Sequence, residues 1–136
     1  MKRTFPLLVV SFIALVLSPA ARTAGGPDVA DTKLLTQPAV SARHIAFIYA
    51  ADLWVCDLDG GNVRRLTGDL GRESNPAFSP DGASIAFSAQ YEGNTDVYIV
   101  PVAGGVPRRL TWHPGADLVQ GFTPDGKSVV FTSGRA

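Results

Sequence analysis

Gly60-Gly61-Asn62-Val63-Arg64-Arg65-Leu66-Thr67 returns as Gly104-Gly105-Val106-Pro107-Arg108-Arg109-Leu110-Thr111, an offset of 44 residues. Ser79-Pro80-Asp81-Gly82 returns at the same offset as Thr123-Pro124-Asp125-Gly126. Agreement of separate motifs at one spacing makes the chain a repeat. Ile45-Ala46-Phe47 recurs as Ile85-Ala86-Phe87 at an offset of 40, and Gln37-Pro38-Ala39-Val40-Ser41 matches Asn75-Pro76-Ala77-Phe78-Ser79 at 38. The offsets differ where the turns differ: Tyr91-Glu92-Gly93-Asn94 lengthens the second copy, and no Pro-Asp-Gly follows Ser41 in the first.

A period of about 40 to 45 residues, built from short apolar runs between turn signals, is that of β-propeller blades. Helical repeats fail on periodicity. Ser84 to Ser88, Asp96 to Val100 and Ser128 to Thr132 are short, β-branched and aromatic, and Gly and Pro stand between them. In Ser79-Pro80-Asp81-Gly82 the hydroxyl accepts a backbone N–H, proline presets φ, and glycine takes the left-handed position. Gly60-Gly61 and Gly104-Gly105 suit tight two-residue hairpins. The predicted strands are Leu35 to Val40, Ile45 to Ala50, Leu53 to Leu58 and Val63 to Thr67, then Asn75 to Ser79, Ile85 to Ala89, Asp96 to Pro101 and Arg108 to Thr111, then Leu118 to Thr123 and Ser128 to Ser133. The fold class is all-β, an incomplete β-propeller of about two four-stranded blades plus the start of a third, with blades at about 35–67, 74–111 and 118–136. A ring usually closes with four to eight blades, so the sequence reads as one part of a longer propeller. Its open sheet faces predict poor solubility in isolation.

The first residues read as an address. Lys2 and Arg3 precede an apolar run of 13 residues, Phe5 to Leu17, and Ser18-Pro19-Ala20 offers small residues at a cut site. Crossing a membrane needs about 18 or more apolar residues. The expected organisation is a signal peptide at 1–20, a loose leader at 21–34 and the partial propeller at 35–136, with export to the periplasm or the extracellular space. Twelve Lys and Arg balance twelve Asp and Glu, for a net charge of +0 and no basic run, so no nucleic-acid partner is expected. At 46% hydrophobic and 18% charged residues the chain is too apolar for intrinsic disorder.

No residue here reads as catalytic. His44 and His113 lack a nucleophile elbow and read as loop-surface residues, His44 in a turn before a strand and His113 before Pro114. Asp57-Leu58-Asp59-Gly60-Gly61-Asn62 resembles a calcium loop, but its counterpart, Pro101 to Val106, keeps the glycines and loses every carboxylate. The turn is what repeats, so no metal and no cofactor is expected. Arg64-Arg65 and Arg108-Arg109 read as solvated charges on an outer strand that discourage edge pairing. Trp54 and Tyr98 share one repeat position, and Phe47, Phe87 and Phe131 share another; both sets read as interblade core. Cys56 reads as a small buried side chain.

Ser-Pro-Asp-Gly, then Ile-Ala-Phe-Ser, then Asp-Val-Tyr, then Gly-Gly, then Arg-Arg-Leu-Thr resembles the propeller repeats shared by TolB and the tricorn-type proteases, from about Gln37 to the end. Gly93-Asn94-Thr95-Asp96-Val97-Tyr98, followed by Gly104 to Asp117, resembles the first propeller of bacterial tricorn protease homologues. That resemblance implies a multidomain serine peptidase in which propellers precede a PDZ-like module and a catalytic domain. On it, this segment would serve substrate access or docking, with peptide or protein partners and further blades of a longer chain, and without catalysis. The other reading is a non-enzymatic TolB-like propeller that binds protein partners; an inactive fragment is a third. The exported start departs from the cytosolic archaeal enzyme.

Overall fold

The structure, a computed structural model, describes residues 35–135. The signal-peptide reading of 1–20 and the leader reading of 21–34 lie outside the described residues. Ten strands and no helix are found among those described. The first sheet holds β1 (Thr36–Val40), β2 (His44–Tyr49), β3 (Asp52–Asp57) and β4 (Arg64–Arg65), side by side in chain order. The second holds β5 (Glu73–Phe78), β6 (Ser84–Ala89), β7 (Asp96–Pro101) and β8 (Arg108–Arg109), again in chain order. β9 (Asp117–Phe122) and β10 (Val129–Ser133) pair as a third sheet. All neighbours are antiparallel. This is the all-β architecture that the repeat implied, two four-stranded blades and the start of another.

Each four-residue turn repeats down to its hydrogen bonds. Gly82 N–H donates to Ser79 O at 2.8 Å and Gly126 N–H to Thr123 O at 2.8 Å. Both glycines sit at φ +69°, a conformation that a Cβ resists. The Ser79 hydroxyl accepts the Ser84 N–H at 3.0 Å and donates to Asp81 at 2.6 Å, while Asp81 also accepts the Ala83 N–H at 3.0 Å. Thr123, Asp125, Lys127 and Ser128 repeat all three bonds. The aspartate therefore locks the turn as an acceptor.

The Gly-Gly turns are longer than the expected two-residue hairpins. Gly60 N–H donates to Asp57 O at 3.0 Å and Asp57 N–H to Gly61 O at 2.9 Å, a three-residue loop closed by a bulge with Gly60 at φ +84°. In the second copy Gly104 N–H bonds Pro101 O at 2.9 Å, but proline has no N–H to return the second bond. The outer strands are also shorter than read from sequence. Leu66 and Leu110 each donate one further bond, to Leu53 O and Val97 O. The chain then turns inward, because the Thr67 and Thr111 hydroxyls accept the Leu53 and Val97 N–H groups, each at 3.0 Å.

Sheet packs on sheet. Ala46, Ile48, Leu53 and Val55 of the first sheet form one buried cluster with Ile85, Phe87, Ala89, Tyr98 and Val100 of the second. Ala86 and Val97, which alternate to the second sheet's other face, join Val119, with Phe122, Val129 and Phe131 packed against them. Burial on both faces explains why these strands are apolar runs instead of strict alternations. The aromatics of each sheet face the sheet before it: Phe87 stacks on Tyr98 at 5.9 Å within the first cluster, and Phe131 packs in the second. On the far side of the third sheet Leu118 and Val130 remain 38% and 47% exposed.

Candidate functional site

Function in such an architecture rests on what the inner strands and the turns display. β1 and β5 carry the same irregularity, a register shift at Gln37-Pro38 and at Asn75-Pro76. Gln37 and Asn75 both take positive φ there, +52° and +53°, and proline cannot continue a ladder. β9 shifts register at the matching place, beside Gly121. The bulges free polar groups, and the Gln37 side-chain oxygen accepts the Asn75 N–H across the two sheets. A cleft of about 260 Å³ opens beside them, lined among others by Gln37, Arg72, Ser74, Gln90 and Thr95. Amide, hydroxyl and guanidinium groups on the first and second sheets and their connections suit hydrogen bonding to an extended peptide backbone.

Between the sheets lies an acid latch that sequence reading missed. Glu73, at the start of β5, reaches back to the first sheet and accepts the Leu53 N–H at 2.6 Å, the Thr67 hydroxyl at 2.5 Å and the Tyr91 hydroxyl. Burial pushes its carboxyl above the usual carboxylate range, against the opposing hydrogen bonds from Thr67, Tyr91 and Leu53. Burial, then the neighbouring Glu73, likewise pushes the Tyr91 hydroxyl up. Asp117 is the counterpart at the start of β9. It is fully buried and bonded to Arg135 at 3.1 Å. The backbone repeats the hook, since Glu73 N–H donates to Ala51 O and Asp117 N–H to Thr95 O. The available signal was an acid six residues after the threonine of each Arg-Arg-Leu-Thr.

The residues singled out from sequence are placed as follows. His44 is the first residue of β2 and not a loop residue; its Nε2 lies 3.7 Å from Asp57, directly opposite in the ladder. His113 is in a loop, where Nδ1 accepts the Gly115 N–H at 3.0 Å and the carbonyl accepts from Asn94 at 2.7 Å. Asp57 accepts from Asn62 at 2.6 Å and Asp59 from the Gly61 N–H at 2.8 Å, so both carboxylates serve the turn. Arg65 and Arg108 are exposed, but the solvated reading needs correction at Arg64 and Arg109. Arg109 bonds Asp96 at 2.6 Å, Glu92 at 2.5 Å and Thr111 O at 2.7 Å, and Arg64 donates to Val102 O in the turn after β7. Arg65 pairs with Asp52 at 3.3 Å, the repeat of Arg109 with Asp96. The reason is the ladder: β3 and β7 each begin with an aspartate that faces the outer strand. Trp54 is half-buried, its indole N–H on Tyr49 O at 3.1 Å, whereas Tyr98 is core. Cys56 is buried, and burial, then Asp57 and Asp59, push its thiol up.

Residues 32–136 match the family described as the tricorn protease N-terminal beta propeller domain. The chain belongs to that family. A tricorn protease homologue of Streptomyces coelicolor, homolog 2, is 41% identical over 56 residues, which is 40% of this chain and 5% of that protein. This propeller segment thus spans about one-twentieth of that relative's length. The crystal structure of the tricorn protease is similar with a TM-score of 0.62 and 32% identity, over 69% of this chain and 10% of that one. TolB from Acinetobacter baumannii is similar with a TM-score of 0.67 and 31% identity, over 76% of this chain and 28% of that one. Among the described residues no helix is long and apolar enough to cross a membrane.

Proposed function

We propose that this tricorn-type propeller segment belongs to an exported serine peptidase and docks peptide or protein substrates, contributing no catalytic residue of its own. The observation that supports docking is the polar cleft beside the bulged inner strands, where Gln37, Arg72, Ser74, Gln90 and Thr95 from adjacent sheets converge. Rigid sheets hold these groups while turns and bulges present them. The same reading divides the chain into a signal peptide at 1–20, a leader at 21–34 and blades at about 35–67, 74–111 and 118–136. Deleting residues 35–135 from a tricorn-type peptidase that carries this segment is expected to change peptide selectivity. Unchanged activity and selectivity would remove the docking role. N-terminal sequencing of the secreted product should begin at Ala21; an intact Met1 in the cytosol would remove export.

A TolB-like, non-enzymatic propeller is the second reading, favoured by the greater coverage of this chain in the TolB similarity. Peptidase sequence downstream of the same blades supports the first reading, and further blades followed by a stop support the second.

A further inference from the structure

We propose that a second binding site, separate from the cleft beside the bulged strands, lies on the outer margin between the first two sheets and takes a peptide segment in which a large apolar side chain sits beside a lysine or arginine. A groove of about 460 Å³ runs there. Its floor is Tyr98, with Tyr91 against it, the two rings 4.8 Å apart. Neither ring is free to turn away, because Tyr98 stacks on Phe87 and the Tyr91 hydroxyl is held by Glu73. The groove exists because β4 ends after two residues, so nothing in the first sheet's outer strand covers the outer edge of Tyr98.

The lips are apolar and unpartnered among the described residues. Leu70, in the connection from β4 to β5, is 100% exposed, and Val106, before β8, is 91% exposed. Both line the groove. Charge fixes the rest of the ligand. Asp69 and Glu92 line the mouth, and the one guanidinium present, that of Arg109, is already matched by Asp96 at 2.6 Å and Glu92 at 2.5 Å. Two carboxylates line the groove against one cation, and that cation is also paired with the buried Asp96 behind it, so the groove is left negative, with Asp69 lacking a cationic partner among the described residues. Aromatic rings and carboxylates together select a cation, and the Leu70 and Val106 lips select an apolar neighbour for it.

The test is fluorescence anisotropy of the full chain with labelled peptides carrying Leu-Arg, Leu-Glu or Ser-Arg at the centre of an otherwise Gly/Ser sequence. The Leu-Arg peptide is expected to bind at least about tenfold more tightly than either control. D69K should weaken Leu-Arg binding by about fivefold at low salt and raise Leu-Glu binding, and both effects should shrink at high salt. L70S should weaken Leu-Arg binding at least about tenfold. Both side chains are on an exposed connection and make no hydrogen bond in the described structure, so an unchanged melting transition separates loss of binding from loss of fold. Equal binding of Leu-Arg and Leu-Glu, or unchanged affinity in D69K and L70S, would overturn the proposal. So would a dimer in sedimentation that L70S abolishes, since the occupant would then be a second copy.

Discussion

Replacing Glu73 by alanine removes the acceptor for the Thr67 and Tyr91 hydroxyls, while the Leu53 N–H keeps Thr67 Oγ1 at 3.0 Å. Each buried donor left without a partner costs about 1–3 kcal/mol, so with two donors E73A should lose roughly 2–6 kcal/mol. E73Q should lose under about 1 kcal/mol, because its amide oxygen can still take the Leu53 and Thr67 donors and its NH2 can donate to the Tyr91 oxygen. The two variants also separate in pH. Glu73 has a folded pKa above its ordinary value of 4.5, so its contribution is whole below that value and declines as pH rises through the folded pKa. Wild type minus E73Q should therefore fall as pH rises above 4.5. Urea melts at several pH values read all of this. An E73A variant within about 0.5 kcal/mol of wild type, or E73Q as damaging as E73A, would refute the latch as a stabilising contact.

The paired arginines should differ although they repeat. R109M leaves Asp96, whose side chain is 1% exposed, with only the Thr111 hydroxyl at 3.3 Å and should destabilise the fold more in a urea melt than R65M, which sits beside the more exposed Asp52 and should cost under about 1 kcal/mol. Among the glycines, G71A should exceed G82A in cost. A Cβ on Gly71 would meet the Gln90 carbonyl at 2.4 Å, while Gly82 has ordinary contacts and only its positive φ to lose, about 1 kcal/mol. The Cys56 thiol should react with an alkylating reagent at least about tenfold more slowly in the folded chain than in urea, because burial and its acidic neighbours keep it protonated.

The repeat was readable because its turns are written in residues with few conformational options. Pro80, Asp81 and Gly82 allow little besides the bonds that Gly82 and Ala83 make, and Phe87 and Phe131 mark one face wherever they recur. The latch left an aligned acid in each repeat but not its contacts. Glu73 and Asp117 differ in length and bond differently, one to Thr67 and Tyr91, the other to Arg135. The arginines were misread for a related reason. Arg-Arg on a short outer strand resembles a solvated edge until the ladder sets Trp54 and Tyr98 opposite Arg65 and Arg109, which brings Asp52 and Asp96, two residues earlier, within reach, although both aspartates also recur at an offset of 44. The polar cleft lies beside bulges at Gln37 and Asn75; the prolines hinted at them, but not at which polar groups they would bring together.

Nuclear Overhauser contacts from the Phe87 ring test most directly whether successive repeats stack face to face. Phe87 is completely buried and shares one cluster with Ile48, Leu53 and Val55 of the first sheet. Strong contacts from its ring to those methyl groups are expected. A ring that sees only its own sheet, Tyr98 and Ala89 but nothing between residues 46 and 55, would contradict the stacked-blade account.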